Sequence, residues 1–138
     1  MRLYRLEATV PEYMLLLYGS ESADDEAEVA RRWAEMPLWD EVNASLRDAG
    51  VLVAHAPLHS VVSATTVRVR GDETELTDGP FAVTKEVLAG YYVLDCADLD
   101  EAIRHATRLP GAHYGSVEVR PIVADDEIPR PDRSASAS

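Results

Sequence analysis

Short apolar runs recur along the chain, and they predict the strands of a sheet. Residues 13–18 form a continuous apolar run that ends at Gly19, as expected of a buried central strand. Further buried or half-buried strands are predicted at residues 51–54, 90–96 and 116–122.

A strand of a different kind lies between the second and third of these runs. Residues 64–70 alternate β-branched and charged side chains, so one side of this strand should face water. Residues 71–73 form a turn, and residues 74–77 run back as the partner strand. The pattern therefore predicts a β-hairpin inserted between two strands of the sheet.

The segment after the first strand predicts a helix that begins near residues 22–25 and stops at Gly50. Pro37 lies inside it and should kink the helix or begin a second segment, because proline cannot donate the helical hydrogen bond. One buried face is predicted from apolar residues at spacings of three, four and three: Trp39, Val42, Leu46 and Ala49.

A second helix is predicted after residue 96. Asp98 and Glu101 have the spacing of a capping box, and residues 109–111 should end the helix. Four residues are predicted to face inward: Leu99, Ala102, Ile103 and Ala106.

The order of these elements predicts an α+β fold, the ferredoxin-like βαββαβ arrangement with an inserted β-hairpin, in which both helices cover one face of an antiparallel sheet. The other face would expose alternate apolar residues of the central strands, which a second copy should bury in a dimeric α/β barrel. We therefore expect an N-terminal arm at residues 1–12, one domain at 13–124 and a disordered acidic, Ser/Ala-containing tail at 125–138.

Composition narrows the function classes. The 138 residues suit a single domain, and the net charge of −12 opposes direct nucleic-acid binding, which needs clustered Lys and Arg. The first residues lack the apolar run of a signal peptide, and no run has transmembrane length, so we expect a cytoplasmic protein without a membrane partner.

The most informative stretch, residues 77–86, combines a turn, an apolar anchor and adjacent charges. Asp78 is a candidate general base, although an Asp at such a turn commonly bonds backbone N–H groups instead. Phe81 would line a ligand pocket, Lys85 would hold an anion and Glu86 would accept a proton. Solvated or ion-paired roles for Lys85 and Glu86 are equally open.

The later strands supply further ligand-binding candidates. Tyr91 and Tyr92 should straddle their strand, so that one faces the helices and the other the barrel interior as an aromatic wall. Arg120 is expected either to bind a ligand carboxylate or to pair with Glu86 or Asp78.

Neither a metal nor a cofactor is predicted. His55 and His59 are four residues apart but lack further ligands at suitable spacing. The single cysteine, Cys96, should be a small core residue rather than a nucleophile. His105 is placed on the exposed side of the second helix, and His113 in the following loop.

Several blocks, taken in order, resemble the DGPF branch of the YCII-related proteins: residues 64–68, 77–82, 84–86, 90–95 and 117–122. The resemblance implies a dimeric ferredoxin-like α/β barrel. Members of this branch are often labelled transcription initiation proteins, and some relatives accompany or are fused to sigma factors, so a sigma factor is one expected partner.

The chain also departs from the family pattern. Members commonly carry Glu where this chain has Val83. The wider group carries a His and an Asp at positions that correspond here to Trp39 and Leu109. The pair is absent, which weakens any transfer of activity from relatives such as a dehydrochlorinase.

Three function classes follow. The first is a homodimeric module that binds a small organic molecule near the Asp-Gly-Pro-Phe loop. The second is an acid/base enzyme, a lyase or isomerase of a small organic anion, with Asp78 or Glu86 as the base. The third is an accessory protein in sigma-factor-linked transcription control, which rests on analogy with relatives.

Overall fold

A computed structural model describes residues 10–20, 26–80, 82 and 84–131. Its helices and strands follow the order β1 (Glu12–Ser20), α1 (Glu26–Ala34), α2 (Met36–Asp48), β2 (Leu52–Pro57), β3 (Thr65–Arg70), β4 (Glu73–Asp78), β5 (Glu86–Asp95), α3 (Leu99–Ala106) and β6 (Ser116–Pro121). Residues 1–9 of the predicted N-terminal arm, the helix start at residues 22–25 and residues 132–138 of the predicted tail lie outside the described residues.

Four strands form one sheet in the order β2-β5-β1-β6, and each neighbouring pair is antiparallel. The connection from β1 to β2 contains α1 and α2, and the connection from β5 to β6 contains α3. This strand order with two helical crossovers is consistent with the ferredoxin-like fold. The predicted α+β class and antiparallel sheet are therefore confirmed.

The core lies between one face of the sheet and the helices α2 and α3. Its buried residues come from both layers: Tyr13, Leu15, Leu17, Leu46, Tyr92, Leu94, Cys96, Ala102, Ala106 and Leu109. Because Leu46 belongs to α2 and the two alanines belong to α3, both helices cover the same face, as the sequence pattern predicts.

The inward face of α3 is narrower than predicted. Ala102 and Ala106 are buried, whereas Leu99 and Ile103 are 48% and 44% exposed. The two alanines are four residues apart and form one stripe against the sheet, and their small side chains let the helix approach it closely. The larger residues lie on the adjacent stripe at the edge of the contact, so their predicted burial was wrong.

Pro37 separates α1 from α2 rather than kinking one helix, and it lies in the first turn of α2, where its missing N–H needs no partner. The helix ends at Asp48, and the N–H of Gly50 bonds the carbonyl of Arg47. Ala49, the C-cap, is exposed and does not extend the predicted buried face. No described helix is long and apolar enough to cross a bilayer.

Strands β3 and β4 form a two-stranded sheet of their own among the described residues, and a two-residue loop at Gly71 and Asp72 joins them. The alternation of β3 predicts that one side faces water, and the structure shows which side. Val67, Val69 and the cross-strand residue Leu76 are 59%, 59% and 69% exposed, whereas Thr66 and Arg68 on the other side are half-buried. The hairpin therefore presents its apolar side to solvent.

Candidate functional site

The sheet face opposite α2 and α3, called the open face below, carries half-buried apolar side chains on its central strands. Pairing places Met14 beside Val93 and Leu16 beside Tyr91, and Ala54 and Ala56 extend this row onto β2. Directly paired residues share a face of the sheet, so these six side chains form one contiguous surface.

Polar side chains border this apolar surface on β6. Arg120 Nε lies 2.9 Å from Glu118 Oε2, and the Tyr18 hydroxyl donates to Glu118 Oε1 at 3.4 Å. Arg120 pairs with Met14 and Glu118 with Leu16 in the sheet register, which puts all three polar groups on the open face. Arg120 thus pairs with Glu118 rather than with Glu86 or Asp78, the partners considered from the sequence.

Glu86 lies at the beginning of β5, at the end of the same face. Its Oε1 atom accepts a hydrogen bond from the Ser116 hydroxyl at 2.8 Å, and its main-chain carbonyl accepts one from the Thr84 hydroxyl. The bond to Ser116 crosses β1, which separates the two strands. It fixes the carboxylate at one edge of the open face.

The turn after β4 is held by the backbone more than by a side chain. The N–H of Gly79 donates to the carbonyl of Ala64 at 2.7 Å, and the Thr66 hydroxyl donates to the carbonyl of Gly79 at 2.9 Å. The φ of Gly79 is 94°, which a residue with a Cβ rarely adopts. Asp78 is exposed at the end of β4, opposite Thr65.

The sequence candidates separate into groups. Glu86, Tyr91 and Arg120 share the open face. Asp78 and Lys85 are exposed, and the contacts of the described residues do not join either side chain to that group. Phe81 lies outside the described residues, as does Val83.

Tyr92 faces the helices. Its hydroxyl donates to the side-chain oxygen of Asn43, its ring stacks on Trp39 at a centroid distance of 6.4 Å, and His55 stacks on it at 5.2 Å. Burial raises the pKa of Tyr92 to about 12. Of the two adjacent tyrosines, only Tyr91 can contact a ligand on the open face.

Three residues of the open face were not selected from the sequence: Tyr18, Ser116 and Glu118. The sequence does contain a pattern that identifies two of them. Residues at i, i+2 and i+4 of a strand share a face, and Ser116, Glu118 and Arg120 have this spacing. Tyr18 belongs to the apolar run at residues 13–18 that predicts a buried strand. Its position opposite Ser116 depends on pairing that the sequence does not specify.

Two of the histidines outside α3, His55 and His113, have structural contacts. His55 stacks on Tyr92, and His113 Nε2 lies 3.1 Å from the carbonyl oxygen of Thr107. Cys96 is buried, and burial, with Glu101 next in effect, raises the pKa of its thiol to about 11. It is therefore a neutral core thiol, as predicted.

The open face combines an apolar floor with the guanidinium of Arg120, the carboxylates of Glu86 and Glu118 and the phenols of Tyr18 and Tyr91, and the paired residues Glu12 and Asp95 add two carboxylates at its other end. Such a set can hold a small molecule by apolar contact and orient it through a few hydrogen bonds. Arg120 retains further N–H donors beyond the Nε atom that contacts Glu118. The arrangement suits binding, and the hydroxyls of Tyr18 and Ser116 already donate to the carboxylates of Glu118 and Glu86.

Two comparisons with known proteins show the family of this chain. The YCII-related domain matches residues 12–125, which span the whole four-stranded sheet and its helices. An uncharacterized protein of Rhizobium meliloti (strain 1021) is 39% identical over 112 residues, which cover 80% of this chain and 90% of that protein. The chain belongs to the YCII-related family.

Proposed function

We propose that this protein is a homodimeric module that binds a small organic molecule beside the open face, near the Asp-Gly-Pro-Phe loop. One observation supports the proposal most directly. Half-buried apolar side chains in the middle of the open face, Leu16 and Val93 among them, are bordered by the contact of Glu118 with Tyr18 and Arg120.

The apolar part of this surface favours a second copy of the chain as its cover. Soluble proteins seldom leave contiguous apolar patches on a sheet open to water, and a two-fold dimer covers identical patches with each other. The hairpin adds a second exposed apolar row through Val67, Val69 and Leu76. Both surfaces gain from contact with a partner subunit.

The polar border favours a ligand that carries a carboxylate or a similar acceptor. Arg120 is exposed, and a guanidinium can bind a carboxylate through two parallel hydrogen bonds. Tyr91 supplies an aromatic surface beside Leu16, and Glu118 selects for ligands that also carry a donor. The acid/base and sigma-factor hypotheses stay predictions.

The dimer is tested by placing a charge at the centre of the open face. Leu16→Glu should convert a dimer to a monomer in sedimentation velocity, because two buried carboxylates would face each other across the interface. Trp33→Glu is the matched control, since Trp33 is 71% exposed on α1 and the substitution should leave the dimer intact. A monomeric wild-type chain at high concentration, or a dimeric Leu16→Glu variant, contradicts the proposal.

The ligand is tested with crystals soaked in a defined mixture of small organic acids. Electron density beside Arg120 and Tyr91 is the expected result, and binding measured by calorimetry should be lost in Arg120→Gln. Arg70→Gln is the control, because Arg70 lies at the end of the hairpin and its guanidinium bonds the carbonyl of Val69. Equal loss in both variants would show a general charge effect rather than a site.

A further inference from the structure

The junction between β5 and α3 brings together three side chains of metal-ligating type. The sulfur of Cys96, a carboxylate oxygen of Glu101 and a ring nitrogen of His105 all lie within 4.8 Å of one another. Cys96 directly follows β5, and Glu101 and His105 are one turn apart on α3. Residues four apart on a helix share a face, so both project toward the cysteine.

The cluster is largely shielded from solvent. Cys96 is 1% exposed, and the side chains of His105 and Glu101 are 14% and 22% exposed. The expectation that His105 lies on the exposed side of its helix is therefore wrong. Its Nε2 atom lies 3.3 Å from Glu101 Oε2, so the imidazole and the carboxylate already point at each other.

We propose that Cys96, Glu101 and His105 form a binding site for a divalent transition-metal cation of the zinc type. A thiolate, an imidazole and a carboxylate are the three kinds of ligand that zinc accepts, whereas calcium and magnesium prefer oxygen alone. Three protein ligands leave a fourth position for water or another group. The spacing that encodes the site is Cys-x4-Glu-x3-His.

Neighbouring groups already orient two of the ligands. The N–H of Ala97 donates to Glu101 Oε1 at 2.7 Å, which fixes the carboxylate and leaves Oε2 directed at His105. Asp98 accepts a hydrogen bond from the N–H of Glu101 at 2.9 Å and holds the start of the helix. Outer contacts of this kind commonly position metal ligands.

The charges around the cluster have both signs. Asp95 and Asp98 flank Cys96 in the chain and favour a cation, whereas Arg104 and Arg108 oppose it. Arg108 Nη1 lies 3.5 Å from His105 Nδ1, a contact at the limit of hydrogen bonding. When Nε2 binds a metal the imidazole proton resides on Nδ1, so Arg108 turns away, and the Cys96 thiol releases its proton to solvent.

The site is independent of the proposed ligand and dimer surfaces. Cys96 belongs to the core on the helix-covered side of the sheet, and the open face lies on the other side. A metal there would join the end of β5 to α3 and stabilise the folded chain, because binding to the native state alone raises its stability.

The test uses the reduced, metal-free full chain titrated with cobalt(II), which reports a thiolate ligand by its charge-transfer absorption. We expect one cobalt per chain with this absorption. Cys96→Ser should abolish the band, and His105→Gln and Glu101→Gln should weaken binding about tenfold or more, the scale on which losing even an outer contact weakens a metal site. His59→Gln, at an exposed loop position, is the control and should bind like the wild type.

The result can go against the proposal in three ways: no uptake of cobalt, uptake without the thiolate band, or a band that persists in Cys96→Ser. Should Cys96→Ser fail to fold by circular dichroism, His105→Gln decides instead, since its half-buried position tolerates an amide. Zinc should then displace the cobalt and raise the melting temperature of the wild type but not of His105→Gln. An equal rise in both variants would assign the effect to adventitious zinc.

Discussion

Tyr92 donates a hydrogen bond from its hydroxyl to the side-chain oxygen of Asn43, and this buried pair connects β5 with α2. Both residues are at most 8% exposed. Burying an amide costs free energy unless its polar atoms are hydrogen-bonded. The Tyr92 hydroxyl supplies that bond, which allows Asn43 to lie on the inner face of α2.

Removing only the Tyr92 hydroxyl should destabilise the fold. In Tyr92→Phe the oxygen of Asn43 loses its partner in a buried site, and we expect a loss of about 1–3 kcal/mol in the free energy of unfolding. Tyr91→Phe is the matched control on the open face and should change stability by less than about 0.5 kcal/mol. Urea denaturation of both variants measures the difference.

A double-mutant cycle sharpens this test. Combined with Asn43→Ala, Tyr92→Phe should cost clearly less than it does alone, because the bond is already absent. If the two single effects simply add, the hydroxyl and the amide are not coupled, and the assignment of the bond is wrong.

Stability should fall in alkaline solution through two tyrosines. Burial raises the pKa of Tyr92 from 10.0 to about 12. Partial burial also raises the pKa of Tyr114, a half-exposed residue, to about 12, assisted by its hydrogen bond to Glu35. The unfolded chain therefore releases these protons first, so the stabilisation is complete below pH 10 and is lost as the pH rises from 10 toward 12.

Urea denaturation across this pH range measures how steeply the free energy of unfolding falls with pH. The fall should be less steep in the double variant Tyr92→Phe/Tyr114→Phe. An ultraviolet titration of the folded protein provides an independent measurement. It should resolve a late-ionising group of tyrosines, and a single transition for all of them near the ordinary pKa would contradict the shifts.

A close backbone approach makes Gly115 sensitive to substitution. A Cβ atom at this position would lie 2.2 Å from the carbonyl oxygen of Tyr18, and neither backbone can move without disturbing the pairing of β1 with β6. We expect Gly115→Ala to cost about 1–3 kcal/mol, as overpacking does. Gly19→Ala is the control, because a Cβ there meets nothing within 4 Å.

Circular dichroism during thermal unfolding compares the two variants. The alanine at position 19 should be neutral or slightly stabilising, since it restricts the unfolded chain. A Gly115→Ala variant that melts at the wild-type temperature would mean that the turn before β6 is looser than the structure indicates.

The fold could be predicted because its signals are local. The apolar run at residues 13–18 and the break at Pro37 each identify an element without reference to distant parts of the chain. The sheet order then follows from known preferences for helical crossovers. The burial of Leu99 and Ile103 was overestimated, which shows the limit of prediction from sequence. The amphipathic pattern of a helix does not reveal how wide a stripe of it the sheet will cover.

The site was harder to predict because it depends on register. The pairing of β5 with β1 decides which tyrosine faces the helices, because Tyr92 lies opposite Leu15 and Tyr91 opposite Leu16. An irregularity after Leu17 then shifts the register of the remaining residues of the two strands. A shift by one residue exchanges the faces. The Arg120 contact with Glu118 needed only the two-residue spacing and could have been predicted.

The proposed metal site was partly predictable from local spacing and partly dependent on the fold. The four-residue spacing of Glu101 and His105 is visible in the sequence, whereas their approach to Cys96 depends on how the chain turns through residues 97 and 98 into α3. The histidine pair that is close in the sequence, His55 and His59, lies on and after β2, away from this cluster.

The start of α3 offers a last prediction, in which two acidic residues separated by Leu99 differ in role. Asp98 is the N-cap and accepts a hydrogen bond from the N–H of Glu101, whereas Asp100 lies within the first turn and only complements the helix dipole. Asp98→Ala should therefore lower the unfolding free energy by about 1 kcal/mol, and Asp100→Ala by a few tenths of that. Urea denaturation at low and high salt separates the two effects, because salt screens the dipole interaction of Asp100 while the cap bond of Asp98 persists. Equal losses in the two variants, both abolished by salt, would mean that charge alone stabilises this end of the helix and that the cap bond contributes nothing.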